Sequence, residues 1–177
     1  MIKLVLAPDP SLRAQTKPVK KITPFLLQIT KEMIKLTKTF TDPEGVGLAS
    51  TQIGLDGCFF VAKVSHRGGD SNFISVFNPK ILWQSKRTKI YLEGCLSIPN
   101  YYGEIRRYTN IKVEYTNENN QIITQALKGI IAWIFQHEMD HLNGILFPDK
   151  VLQQKGKFYK MVGKDKTGTD IFEEVTI

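Results

Sequence analysis

The 177-residue chain is 42% hydrophobic and 23% charged, with 13 Gly and 8 Pro, a balance that excludes collagen-like and disordered classes and suits one compact domain spanning residues 1–177. Lys and Arg number 24 against 17 Asp and Glu, for a net charge of +7, which favours approach to RNA or other acidic surfaces without specifying a fold. No apolar run reaches the ~18 residues of a membrane span, and MIKLVLAPDPSLR carries no export or transit pattern, so a cytoplasmic protein is expected.

Taken in chain order, the first predicted element opens at Thr23-Pro24. Thr is a good N-cap, and Pro at the first helical position loses nothing by lacking an N–H. Phe25, Ile29, Met33, Leu36 and Phe40 then mark one helical face, with Lys31, Lys35 and Lys38 on another side. Asp42-Pro43-Glu44-Gly45 ends the helix. Short β-branched or aromatic runs follow at residues 58–64, 73–78, 111–115 and 121–127. The polar turn at residues 117–120 joins the last two as an antiparallel hairpin. A second helix is predicted over residues 129–143, with Gly144 as its left-handed cap. Gly156, Gly163, Gly168 and the run IFEEVTI at 171–177 indicate a hairpin and a final strand. The expectation is an α+β domain: mostly antiparallel sheets around the second helix, an N-terminal helix and a C-terminal strand.

The second helix carries the chemistry. In GIIAWIFQHEMDHLNG, His137 and His141 are four apart and project from one face of adjacent turns, where they can grip one cation. Glu138 completes an HExxH pattern, in which the glutamate moves protons for a metal-bound water. A catalytic site wants a third protein ligand and an open position. The place of a third histidine in the extended pattern holds Phe147, Glu173 and Glu174 lie at the far end of the chain, and His66 sits beside Gly68-Gly69 in an expected hairpin loop. Cys58 lies among residues that want a core. Cys95, in LEGCLSIP, is the best-placed donor: Gly94 allows close backbone approach, and Ser97, Pro99 and Asn100 mark a turn. Two cysteines make no disulfide framework in an intracellular protein. One cysteine and two histidines suit zinc, ferrous iron, nickel or cobalt.

Three segments, GVGLASTQIG at residues 45–54, LEGCLSIP and QHEMDHLNG, together resemble the motifs of the peptide deformylase family, GxGLAAxQ, EGCLS and HExDH. Their order and spacing and the N-terminal PDPSLR also fit, so the resemblance covers about residues 5–150. That family removes the formyl group from the N-terminal formylmethionine of nascent chains, releasing formate. The resemblance implies Cys95, His137 and His141 as ligands of one divalent metal, with Fe²⁺ the physiological ion and Zn²⁺, Ni²⁺ or Co²⁺ as alternatives. It implies a metal-bound water attacking the formyl carbon, with Glu138 as general base and then acid. The Gln52 side chain and the Leu96 N–H would stabilise the oxyanion; read alone, Gln52 could equally cap a turn. Gly45, Gly47 and the Gly94 carbonyl would pair with an extended substrate as with an added strand.

An apolar pocket for methionine would draw on Ile130, Trp133 and Ile134, seven, four and three residues before His137, with Val46 closing it from the loop. The same stripe could serve as core, and Trp133 is expected to narrow the pocket. Arg107, where the family carries an arginine, would pair with Glu93 or Asp140 to hold the ligand loop. Many bacterial members end in a long helix linked to ribosome docking; this chain does not follow them, so a transient ribosome contact would use another surface, such as the tail lysines. The partners implied are N-formylmethionyl peptides and the ribosome, with neither DNA nor a membrane, and no feature specifies an oligomeric state. Two other readings use the same residues: a metallopeptidase cutting internal bonds, and a structural metal in a basic RNA-binding domain. The latter lacks a fourth protein ligand.

Overall fold

The computed structural model describes residues 2–64 and 72–176; the expected loop around His66 lies outside the described residues. Helix α1 spans Pro24–Thr39, and the Thr23 hydroxyl accepts the Leu26 N–H at 3.2 Å. Its buried stripe is centred on Thr30, Met33 and Thr37. Met33 packs with Leu48, Phe59, Val61 and Phe77, and Leu26, Ile29 and Leu36 flank them. Phe25 was expected on this face, but it is 73% exposed. Eight residues before Met33, it points about 80° away from the packed direction.

Among the described residues the strands are β1 (Gly47–Ala49), β2 (Phe59–Val64), β3 (Asn72–Gln84), β4 (Thr88–Cys95), β5 (Ile98–Tyr108), β6 (Asn110–Thr116), β7 (Ile122–Lys128), β8 (Phe158–Lys164) and β9 (Asp170–Val175). They form two sheets, ordered β1-β2-β3-β6-β7 and β4-β5-β8-β9, and all their strand pairs are antiparallel. With helices α1, α2 (Gly129–Leu142) and α3 (Phe147–Gln154), the fold is mixed α and β with antiparallel sheets. No helix among the described residues is long and apolar enough to cross a membrane.

Several boundaries differ from expectation for local reasons. Strand β3 runs on to Gln84 instead of stopping at Asn78. A bulge between Phe77 and Lys80, with Asn78 at φ +50, absorbs the Asn78-Pro79 pair that reads as a terminator. The expected turn through Ser97, Pro99 and Asn100 shrinks to Leu96 and Ser97, because β5 already begins at Ile98. Its register jumps from Cys95↔Ile98 to Gly94↔Tyr102, so Pro99 sits where β4 offers no partner for its missing N–H. The final strand covers Asp170–Val175, within the expected 171–177 but for its first residue. Helix α3 was not expected. Pro148 stands in its first turn, and the Asp149 carboxylate accepts the Leu146 N–H at 2.8 Å.

Helix α2 buries Ala132, Ile134, Phe135 and Leu142 against Phe60, Ala62, Ile111 and Val113 of the five-stranded sheet. The Phe60 and Phe135 rings meet edge to face, with centroids 5.1 Å apart. At its end Gly144 has φ +69, and a Cβ there would overlap the Arg13 carbonyl, so both conformation and space demand glycine. A third cluster, Ile105, Phe147, Val151 and Phe158, packs under Cys95. The donor-bearing hairpin β4–β5 thus rests on α3 and β8, and the histidine-bearing helix on the other sheet.

Candidate metal centre and cleft

His137 and His141 lie one turn apart on α2, and Cys95 ends β4. One donor atom from each falls within 4.8 Å of the other two, and Cys95 Sγ lies 3.3 Å from His141 Nε2. His137 Nδ1 lies 3.0 Å from Glu93 Oε2, which leaves Nε2 as the free donor of that ring. His141 is buried, and its Nδ1 has no partner among the described residues. Burial and the nearby His137 and Arg107 hold its pKa well below the usual value, keeping it in the neutral form that a metal needs. Burial opposes protonation of His137, but hydrogen bonds to Cys95 and Glu93 and the charge of Glu138 raise its pKa well above the usual value. A thiol and two imidazoles converging in this way fit a divalent ion held by three protein donors.

A polar network fixes these donors. Arg107, on β5, donates to Glu93 through Nε at 2.7 Å and Nη2 at 2.8 Å, and to Asp140 through Nη1 at 2.5 Å. Lys150 Nζ also approaches Asp140 at 3.5 Å. Glu93 is 0% exposed. Burial works against its charge, yet the bonds from Arg107 and His137 prevail and bring its pKa down to about 2. The hairpin carrying Cys95 and the helix carrying the histidines are therefore tied by a buried, forked ion pair.

Glu138 is buried with Oε2 unpartnered among the described residues. Burial and the neighbouring Glu93 push its pKa up to about 7, against the opposing fields of His137 and Arg107. A Cβ at Gly47 would overlap this carboxylate, so the glycine makes room for the acid. Gln52 is buried in a short 3₁₀ turn, Ser50–Ile53. Its Oε1 accepts the Ala49 N–H at 2.8 Å, and its Nε2 donates to Cys95 Sγ at 3.3 Å and Ser97 Oγ at 3.1 Å.

A cleft lined by Gly45, Val46, Gly47, Gln52, Gly94, Cys95, Leu96, Trp133, Ile134, His137 and Glu138 brings most of the expected residues together. It runs between β1 and β4, each paired on one side only among the described strands. Gly45 has a second reason to be glycine, since a Cβ would overlap the Thr37 carbonyl. The Trp133 ring stacks on Tyr91 at 5.4 Å and 6°. Ile130 does not join the cleft. It is 56% exposed in the first turn of α2, because two turns, about 10.5 Å of rise, carry it past the cavity. Four lining residues carry no site expectation from the sequence: Pro43, Glu44, Leu92 and Tyr102. Tyr102 faces the cleft because β5 sets it opposite Gly94, a pairing that no local pattern reveals.

A cysteine and an HExxH pair converging beside a buried glutamate, in a cleft between two sheets, define a metal-dependent hydrolase. The model of the polypeptide deformylase family matches residues 1–157, and the chain belongs to that family, whose members hydrolyse the N-formyl group. A peptide deformylase of Agrobacterium fabrum is 37% identical over 152 residues, covering 86% of this chain and 88% of that one. The crystal structure of peptide deformylase from Thermotoga maritima shares 39% identity at a TM-score of 0.76, covering 85% of this chain and 97% of its own. A probable peptide deformylase from Synechococcus phage S-SSM7 shares 31% identity at a TM-score of 0.78, covering 85% and 99%.

Proposed function

We propose that residues 1–177 form one metallohydrolase domain that removes the formyl group from N-terminal formylmethionine of nascent polypeptides in the cytoplasm. The observation that carries this is the convergence of Cys95, His137 and His141 within 4.8 Å beside the buried Glu138, whose Oε2 has no partner among the described residues. Cys95, His137 and His141 would hold the ion, with Fe²⁺ the physiological choice and Zn²⁺, Ni²⁺ or Co²⁺ as substitutes. A divalent ion there acidifies water and polarises a carbonyl.

The chain's own groups do the rest. Glu138, poised near neutrality, takes a proton as water adds to the formyl carbon and gives one to the departing amine. The C–N bond breaks, leaving formate and a free N-terminus. The oxygen that gains charge is met by the Leu96 N–H and by Gln52 Nε2, the donor that otherwise faces the Cys95 sulfur. The Ala49 N–H holds the opposite end of that amide, so the donor is aimed before substrate arrives. The open edges of β1 and β4 suit an extended peptide, paired through residues 45–47 and the Gly94 carbonyl. Trp133, Ile134 and Val46 would enclose the methionine side chain, and α2 would serve as the metal-bearing helix between the sheets. Any transient ribosome contact would use surface lysines.

Formate release from formyl-Met-Ala-Ser, set against acetyl-Met-Ala-Ser and an unblocked internal peptide, tests the assignment on anaerobically prepared protein of known metal content. Hydrolysis confined to the formyl peptide is expected. Equal cleavage of all three would make the chain a general metallopeptidase.

A further inference from the structure

The family match ends at residue 157, and the hairpin β8–β9 begins at Phe158. No step above uses this hairpin, yet it touches both walls of the cleft. On the sheet side, β8 pairs with β5 at Tyr101↔Lys160, Tyr102↔Tyr159 and Gly103↔Phe158. Phe172 of β9 meets Tyr102 edge to face, with centroids 4.9 Å apart and rings at 79°. Tyr102 lines the cleft, and its ring fills the space a side chain at Gly94 would need, with Cε1 2.6 Å from that Cβ position.

On the loop side, Lys164 at the end of β8 pairs with Asp42 at 2.7 Å and with Asp170 at 2.6 Å. Asp42 directly precedes Pro43, Glu44 and Gly45 of the opposite wall, a segment that leads into β1 and the other sheet. The hairpin has a firm base, for Phe158 and Val175 pack with Ile105, Phe147 and Val151. A second cavity, lined in part by Phe40, Ile98 and Tyr101, shares Pro43, Cys95, Leu96 and Tyr102 with the cleft. The groove therefore continues from the metal donors along Pro43 and Tyr102, the two walls the hairpin joins.

We infer that the hairpin β8–β9 is a substrate-positioning brace: through Phe172 and Lys164 it sets the spacing between Tyr102 and residues 42–47, and so the grip on peptide residues beyond the formylated one. This rests on the deformylase reading, in which the first side chain lies toward Trp133 and Ile134 and the later residues follow the remaining groove. An exposed ion pair and one ring pair are each weak, so the brace tunes affinity and leaves the chemistry alone.

The test compares full-length, metal-loaded wild type with Phe172→Ala, Lys164→Met and Lys164→Arg. Two substrates are used: formyl-Met amide, with nothing after methionine, and formyl-Met-Ala-Ser. Phe172→Ala and Lys164→Met should each raise KM for the tripeptide by roughly 3- to 10-fold with kcat retained. They should leave kcat/KM for the amide unchanged, and Lys164→Arg should restore the tripeptide KM. Melting temperature and metal content verify that each variant is folded and loaded, with Phe172→Leu replacing Phe172→Ala if the latter does not fold. Equal losses on both substrates, or a tripeptide KM matching wild type in both variants, would overturn the brace. A wild type that releases no formate from either substrate overturns the deformylase reading itself, an outcome distinct from the first two.

Discussion

Glu138 and Trp133 face the same cleft and carry opposite expectations. Glu138→Gln keeps the shape of the side chain but cannot accept a proton, so kcat should fall by about 10²–10⁴-fold while metal analysis finds the ion still bound. Loss of metal together with activity would move Glu138 from proton transfer to site assembly. Trp133, stacked on Tyr91, is large enough to limit what fits beside Ile134. Trp133→Ala should improve kcat/KM for bulkier first residues by roughly 10-fold, the scale of a few apolar contacts; an unaltered profile across first residues would remove it from specificity. The spacing of His137, Glu138 and His141 is legible because a helix converts an interval of four into a shared face. Tyr102 was not legible, since its place in the cleft comes from cross-strand register with Gly94. Ile130 fails for a related reason: interval predicts angle around α2, whereas exposure depends on how far the cavity extends along it.

At the scale of elements, the hairpin β4–β5 and helix α2 are joined through Arg107. Arg107→Met would strip the buried Glu93 of its guanidinium partner and leave it only the His137 Nδ1 contact; removing one partner of a buried ion pair typically costs about 3–5 kcal/mol. For a chain of this size the melting temperature should drop by roughly 10 °C, and metal affinity should weaken by about 10–100-fold as His137 loses the orientation Glu93 supplies. Calorimetry and a metal titration check both, and a melting curve matching wild type would show the pair to be dispensable. The elements differ in how well sequence announces them. Helix α1 has a Thr-Pro start and β6–β7 a polar turn, both local signals. In the β4–β5 hairpin, Ser97, Pro99 and Asn100 read as a turn because they are turn formers, yet the register jump after Gly94 accommodates Pro99 and Asn100 inside a strand. Helix α3, of eight residues, is too short to show a clear period, and it persists by packing Phe147 and Val151 beneath Cys95.

For the whole molecule, acid sensitivity follows from the same buried carboxylate. Glu93 titrates at about 2 in the folded chain against an ordinary 4.5. A lowered folded-state pKa adds stability that is complete above the ordinary value and fades as pH falls from there through about 2. Denaturant midpoints of metal-stripped protein should therefore decline across that window, and Arg107→Met, which removes the main cause of the shift, should flatten the decline. A wild-type midpoint constant from neutrality to pH 2 would contradict the assignment.

Three short segments in the chain were enough to indicate a Cys/His/His donor set and the family to which the protein belongs, because each segment keeps its pattern within one element or loop. The resemblance implied that Arg107 pairs with Glu93 or Asp140; tertiary structure decided that it bonds both, that Gly47 is emptied for a carboxylate, and that β1 and β4 are the edge strands flanking one cleft. Those facts arise from contacts between different elements, such as Glu93 and Arg107, 14 positions apart, or Arg107 and Asp140, 33 apart. Such distances are set by how two sheets and a helix pack, and packing is a property of volumes and registers that no local pattern encodes.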